Sequence, residues 1–189
     1  MTEMTRSGRA ADPAIDVRLR AGIRDIPDYP SPGVVFKDIT PLLADRVLFA
    51  EAVAALATAH GVGSSAQVDL VAGIEARGFI FGAPVALALG AGFVPIRKSG
   101  KLPHTTVSAD YSLEYGTATI EIHSDAVRPG QRVLLLDDVL ATGGTAAAAA
   151  KLLEDIGAEV VALSFLIELD FLEGRQRLPG REVCSLVRY

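Results

Sequence analysis

The stretch VLLLDDVLATGGT, Val133 to Thr145, carries the densest chemistry in the chain. Four apolar residues run straight into Asp137 and Asp138. A turn of small residues follows: Ala141, Thr142, Gly143, Gly144 and Thr145. Ionised carboxylates only accept hydrogen bonds, so a pair of them suits neighbouring hydroxyls such as the 2′ and 3′ hydroxyls of a ribose. The turn suits an anion. A helix starting near Thr145 would offer unpaired amides and about half a positive charge. Gly143 and Gly144 let the backbone come close, and Thr142 and Thr145 add hydroxyl donors, which together make a phosphate cradle. Carboxylates beside such a cradle point to a ribose 5-phosphate ligand. The motif is not a P-loop, because no Gly-Lys-Ser/Thr follows at the required spacing. Nor is it the dinucleotide fingerprint, since G-x-G-x-x-G is absent.

These residues need a scaffold that ends a strand and starts a helix at one place. The chain repeats such a unit: an apolar run, a polar or glycine turn, a helical stretch. VDLVAG (68–73) leads through IEARG into FIFGAPVALALG, and QRVLLLDD leads through VLATGG into TAAAAAKLLEDIG. GFVPIR (92–97) and EVVALSFLIEL (159–169) are further apolar strands. Near-continuous apolar strands alternating with helices predict a mostly parallel, twisted α/β sheet flanked by helices. Ligands of such sheets bind beyond the carboxyl ends of the strands, which is where Asp137 and Asp138 fall. Ala146 to Ala150 give the following helix a smooth face for close packing.

Other segments fit around that sheet. Pro13 opens a helix with an apolar stripe at Ile15, Leu19 and Ile23. Residues 25–43 hold four prolines, which exclude a regular helix, and a loop so long is usually functional. A further helix is expected from Asp45 to His60, stopping at Gly61. Residues 105–123 break the α/β pattern. There Ala118, Ile120 and Ile122 alternate with Thr119, Glu121 and His123, which predicts an antiparallel hairpin with one wet face, and a hairpin of that length is a candidate lid. The expected organisation is a flexible tail over 1–12 and one domain over 13–189.

Composition narrows the partners. The 189 residues are 50% hydrophobic and 22% charged, as expected for a folded domain. A net charge of -5 argues against a nucleic-acid binder. Cys184 is the only cysteine, so no internal disulfide or thiolate cluster is available, which fits a reducing cytoplasm. No run reaches the roughly 18 apolar residues of a membrane span, and the first twelve residues lack the apolar core of a signal peptide.

The 133–145 stretch resembles the 5-phosphoribosyl-1-pyrophosphate (PRPP) motif of the type I phosphoribosyltransferases. DYPSPGVVFKDITPLL, GIEARGFIFG, RKSGKLP and YSLEYG, in that order, are similar to the adenine-specific branch of that family, and the resemblance covers roughly Ile26 to Tyr189. It implies the type I fold, with a hood over 25–43 and a catalytic hairpin lid over 99–123. It implies purine salvage: adenine plus PRPP giving AMP and pyrophosphate, with Mg2+ carried on substrate oxygens and water and no direct protein ligand. It also implies a homodimer.

The same resemblance assigns roles. Glu114 and Tyr115 are the catalytic residues, with Glu114 as general acid/base at the lid tip. Asp137, Asp138 and Ala141 to Thr145 bind PRPP or AMP. Arg77, Arg97, Lys98 and Lys101 bind pyrophosphate, Arg97 by way of a dimer interface in some members. Phe36 stacks on adenine, backbone groups of Val35 and Lys37 read its Watson–Crick edge, and Leu169 is the far wall. Lys37 stands where many members have Arg. A guanine or xanthine enzyme is the competing chemistry. A PRPP-sensing regulator would need a DNA-binding module, for which about 24 residues before Asp25 leave too little room.

Overall fold

The computed structural model describes residues 13–60, 68–112 and 117–189. The expectations for the tail over 1–12, the helix stop at Gly61, and Glu114 and Tyr115 lie outside the described residues.

In chain order the first elements are α1 (Pro13–Ala21), β1 (Arg24–Pro27), β2 (Val35–Asp38), α2 (Thr40–Ala44), α3 (Arg46–His60), β3 (Leu70–Ile74), α4 (Arg77–Leu89) and β4 (Gly92–Lys98). Then follow β5 (Thr106–Ser112), β6 (Thr117–His123), β7 (Arg132–Leu140), α5 (Gly144–Asp155) and β8 (Glu159–Glu168). Two short 3-10 turns, Asp170–Leu172 and Gly174–Arg177, lead to β9 (Val183–Arg188). Seven strands form one sheet in the order β5-β6-β4-β3-β7-β8-β9, and β1 and β2 form a separate antiparallel pair. Strands β4, β3, β7, β8 and β9 run parallel.

β7 lies at the centre of the five parallel strands because its sequence can be buried on both faces. Val133, Leu134, Leu135 and Leu136 are all fully buried. Leu134 and Leu136 join the layer under α3 and α4 with Leu56, Phe81 and Val85. Val133 and Leu135 join the layer under α5 with Ala146, Ala149, Ala150 and Leu153. Each buried leucine is worth about 1.5–3 kcal/mol, so the strand that delivers Asp137 is held firmly from both sides. The alanine face of α5 packs on the sheet as its small side chains suggest.

Two expectations change, and a third gains a place in the sheet. The proline-rich segment is not all irregular: it forms β1 and β2 and then α2, where Pro41 occupies the first helical turn. Proline is tolerated there because the first amides of a helix have no intrahelical acceptor. The antiparallel hairpin expected over 105–123 forms as β5 and β6. β6 pairs with β4 at Arg97↔Glu121 and Lys98↔Ile120, so the hairpin extends the main sheet. Its face with Thr119, Glu121 and His123 is not wet throughout. Glu121 is 5% exposed, because the chain at 100–102 folds over it and Lys101 and Leu102 each donate a backbone N–H to its carboxylate at 3.0 Å. Among the described residues no helix is long and apolar enough to cross a membrane.

Candidate active site

β7 continues past the two aspartates to Leu140, so the pair lies near the end of the strand and not at its last residue. The strand then turns at Ala141–Gly143 into α5. One pocket of about 310 Å³ opens here, lined by Asp137, Val139, Leu140 and every residue from Ala141 to Ala146. α5 begins at Gly144, so the pocket floor holds the unpaired first amides of a 12-residue helix. Gly143 supplies the left-handed residue that turns the strand into the helix, with φ 79°.

The two carboxylates part company. Asp137 lines the pocket, and its Oδ1 accepts the backbone N–H of Asp138 at 2.9 Å. Asp138 is 4% exposed and faces Arg77, whose Nε lies 2.8 Å from Oδ2. Successive strand residues project to different sides, which separates the neighbours. The Arg77 contact is an ion pair without a directed hydrogen bond, since Asp138 Oδ2 has no aligned donor. Burial, and then the charge of Asp138, pushes the Asp137 carboxyl well above the usual range. Burial also raises Asp138, against the opposing pull of Arg77. Two buried anions this close share an incentive to bind protons or hydroxyl donors.

Arg77 links this end of the sheet to β1 and β2. Its guanidinium carbon sits 5.2 Å from the centroid of the Phe36 ring, and Tyr29 packs edge-on against Phe36 at 5.3 Å. A flat aromatic, a cation and a buried carboxylate therefore stand in line. β2 pairs only with β1 among the described strands, so the backbone of Val35 to Lys37 keeps one edge for another partner. The Lys37 side chain takes no part there: its Nζ pairs with Asp25 at 2.7 Å and lies 3.7 Å from the centre of the Tyr189 ring. Leu169 sits where β8 ends beside β7, its N–H donating to the Leu140 carbonyl at 2.9 Å.

The remaining cations gather at the root of the hairpin. Arg97 faces Glu75, Nε to Oε2 at 3.3 Å, and donates through Nη1 to the Lys101 carbonyl at 3.0 Å. Glu75 also accepts the backbone N–H of Lys98 at 3.0 Å. Those hydrogen bonds and charges outweigh burial and hold its carboxyl below the usual range. The side chains of Lys98 and Lys101 are exposed. Of the four basic residues expected at the site, Arg77 alone contacts an aspartate of the pair, and the other three stand at the neighbouring hairpin root.

Sequence reasoning missed Glu75 and Glu121, which fix that root through backbone amides. Glu75 carried a usable signal, a carboxylate next to a strand end and directly before the Ala76-Arg77 turn. Glu121 carried none, because strand alternation assigned it to solvent. Among the described residues no three His, Cys, Asp or Glu side chains gather to hold a metal.

Comparison with known proteins gives a consistent picture. A family model described as the phosphoribosyl transferase domain matches residues 43–179. The chain is 65% identical over 168 residues to an adenine phosphoribosyltransferase of Acidothermus cellulolyticus, covering 89% of this chain and 93% of that one. It superposes with a TM-score of 0.87 and 51% identity on the crystal structure of adenine phosphoribosyltransferase from Thermoanaerobacter pseudethanolicus, covering 92% and 99% of the two chains. The Saccharomyces cerevisiae enzyme, complexed with an imino-altritol bisphosphate and adenine, gives a TM-score of 0.86 and 40% identity over 92% of this chain and 98% of that one.

Proposed function

The chain belongs to the phosphoribosyl transferase family, in its adenine phosphoribosyltransferase branch, and from that membership we propose how its residues divide the work. The reaction is transfer of the ribose 5-phosphate group of PRPP to adenine, giving AMP and pyrophosphate in purine salvage. The pocket over 137–146 holds the ribose 5-phosphate part. The first amides of α5, with Thr142 and Thr145, hold the 5-phosphate. Asp137 accepts the ribose hydroxyls. Asp138 joins it once the sugar offers a hydrogen-bond donor to the oxygen that faces Arg77.

Adenine lies against Phe36, with Leu169 as the opposite wall and the open edge of β2 reading its polar rim. A backbone carbonyl there accepts the 6-amino group and an N–H donates to N1. A 6-oxo purine reverses that pattern and leaves buried groups unpaired, which discriminates by about 10⁴–10⁵. As the C1′–O bond breaks, its electron pair leaves with pyrophosphate, and N9 supplies the pair for the new C1′–N9 bond. Arg77 stands between base and sugar and is placed to leave Asp138 for the departing pyrophosphate; Arg97, Lys98 and Lys101 add positive charge from the hairpin root. Glu114, with Tyr115 beside it, takes or shares the proton at the imidazole side of the base.

The pocket offers one carboxylate among amides and hydroxyls. That donor set fits Mg2+ carried on substrate oxygens and water, with Asp137 facing its water shell. Such an ion would add positive charge on the leaving pyrophosphate.

The protein works as a cytoplasmic homodimer. The outer face of α4 supports the dimer: Ile80 and Leu87 are exposed large apolar residues on a helix with no charge after Arg77, and a helix apolar on all sides wants cover.

The observation that carries the reading is the single pocket that joins Asp137 to the amides of 142–145. Incubation with adenine, PRPP and Mg2+, followed by detection of AMP and pyrophosphate, tests it. Turnover of guanine or xanthine in place of adenine would overturn the base assignment.

A further inference from the structure

One buried charged cluster takes no part in the steps above. Glu168, the last residue of β8, is 3% exposed. Arg175 grips both its oxygens, Nε donating to Oε1 at 2.6 Å and Nη2 to Oε2 at 2.7 Å. The same guanidinium donates through Nη1 to the Val183 carbonyl at 2.9 Å. Ser185 Oγ donates to Glu168 Oε2 at 2.7 Å, and Arg188 approaches that oxygen to 3.7 Å. β8 and β9 are thus both tied to one residue of the second 3-10 turn. Burial pushes the Glu168 carboxyl up, but the hydrogen bonds of Arg175 and Ser185 and the charges of Arg175 and Arg188 win, and it titrates below its ordinary value.

A buried ion pair is a poor stabiliser, because apolar side chains of similar volume often do as well or better. A forked Arg–carboxylate pair supplies direction instead. Direction matters here because of the preceding residue. Gly174 packs against the phosphate turn with no side chain between the two backbones. A Cβ on Gly174 would lie 2.2 Å from the Ala141 carbonyl oxygen and 3.1 Å from the Gly143 nitrogen. A Cβ on Gly143 would lie 2.3 Å from the Gly174 carbonyl oxygen. Ala141 and Gly143 both line the pocket. Leu178, buried in the layer under α5, pins the far end of the turn.

We propose that Arg175 is a positioning residue for the phosphate cradle: clamped on Glu168, it seats Gly174 as the floor under Ala141 to Gly143 and so fixes the directions of the amides that meet the 5-phosphate. This rests on the reading of the pocket as a ribose 5-phosphate site. Loss of the clamp lowers affinity for every ligand that carries the 5-phosphate and leaves adenine recognition alone.

The test is calorimetric titration of the full chain with AMP and with ribose 5-phosphate, alongside KM values for PRPP and adenine. Arg175→Ala would strand a buried carboxylate and risks unfolding, so the informative variant is the double Glu168→Leu/Arg175→Met, with Arg175→Lys beside it. The double variant is expected to melt at or near the wild-type temperature. It should bind AMP and ribose 5-phosphate about tenfold more weakly, a difference of roughly 1.4 kcal/mol. KM for PRPP should rise while KM for adenine stays within about twofold. Arg175→Lys should fall between, since a point charge cannot hold both carboxylate oxygens and the Val183 carbonyl. A folded double variant that binds like wild type overturns the proposal. So does an equal loss for adenine and PRPP, or a double variant that does not fold. Wild-type protein that binds neither AMP nor ribose 5-phosphate would instead sink the functional reading itself, before any variant is compared.

Discussion

The phosphate cradle and the base hood are built by opposite means. The cradle rests on β7, buried on both faces, and its turn meets Gly174 backbone to backbone. The hood is two strands of four residues each; β1 is mostly exposed, and β2 runs from exposed Val35 to buried Asp38. Side-chain contacts hold it: Tyr29 on Phe36, Lys37 on Asp25 and Tyr189, and Arg24 on Asp38. Asp38 is its inner anchor, a carboxyl drawn down to about 2 by the hydrogen bonds of Thr40 and then Arg24. The difference suits what each region recognises in the proposed function. A phosphate is gripped by amides whose directions must be fixed before it arrives. A planar base is met by an aromatic face and a free strand edge, which a two-stranded sheet supplies.

Perturbations should separate the two regions sharply. The largest effect is expected from Gly143→Ala. Its Cβ would strike the Gly174 carbonyl and its φ of 79° is strained for alanine. Rate measurements with PRPP and adenine should show a loss of about 100-fold or more, roughly 3 kcal/mol. A near-normal rate would mean that the turn yields where it meets Gly174.

Asp137→Asn comes next. It keeps the shape and removes the acceptor charge, so AMP and PRPP should bind about 10–100-fold more weakly, the usual range for a hydrogen bond to a charged group. Its pH behaviour sharpens the point. The folded protein holds a proton on the Asp137–Asp138 pair to higher pH than the unfolded chain does. Stability therefore falls as pH rises from the ordinary carboxylate range through the raised pKa of the pair. AMP affinity moves the other way, rising as the pair ionises and can accept the ribose hydroxyls. Asp137→Asn should flatten both trends in denaturation and titration experiments across that range.

Changes in the hood should be smaller and confined to the base. Phe36→Ala should raise KM for adenine about tenfold, as expected for one lost base–aromatic stack, with KM for PRPP altered less than threefold. Lys37→Met should change KM for adenine by less than about threefold, because its partner Asp25 is more than half exposed and such pairs are worth about 0–1 kcal/mol. A large Lys37 effect would show that the side chain reads the base and would break the contrast between the regions.

What the sequence disclosed follows the same division. β7 and α5 were legible because burial on both faces demands an unbroken apolar run, and because the turn between them demands small residues. The grouping of Asp137 with residues 141–145 could be read from adjacency alone. The separation of Asp138 from Asp137 could not, since it depends on where Arg77 arrives from another strand–helix unit. Glu121 was misplaced because alternation describes a strand and its pleat, not the segment at 100–102 that folds over it. Gly174 and Arg175 were silent for a similar reason: a glycine required by close contact with a distant turn looks like any loop glycine. The small β1–β2 sheet was hidden among prolines, whose local veto on helix says nothing about short strand pairing.

The most direct test of the division is a crystal structure of the protein with AMP. The 5′-phosphate should accept hydrogen bonds of about 2.7–3.1 Å from the backbone amides at 142–145, with the ribose hydroxyls on Asp137 and the base stacked on Phe36. A nucleotide seated elsewhere, or one whose phosphate lies in the hood and whose base lies over α5, would contradict the account.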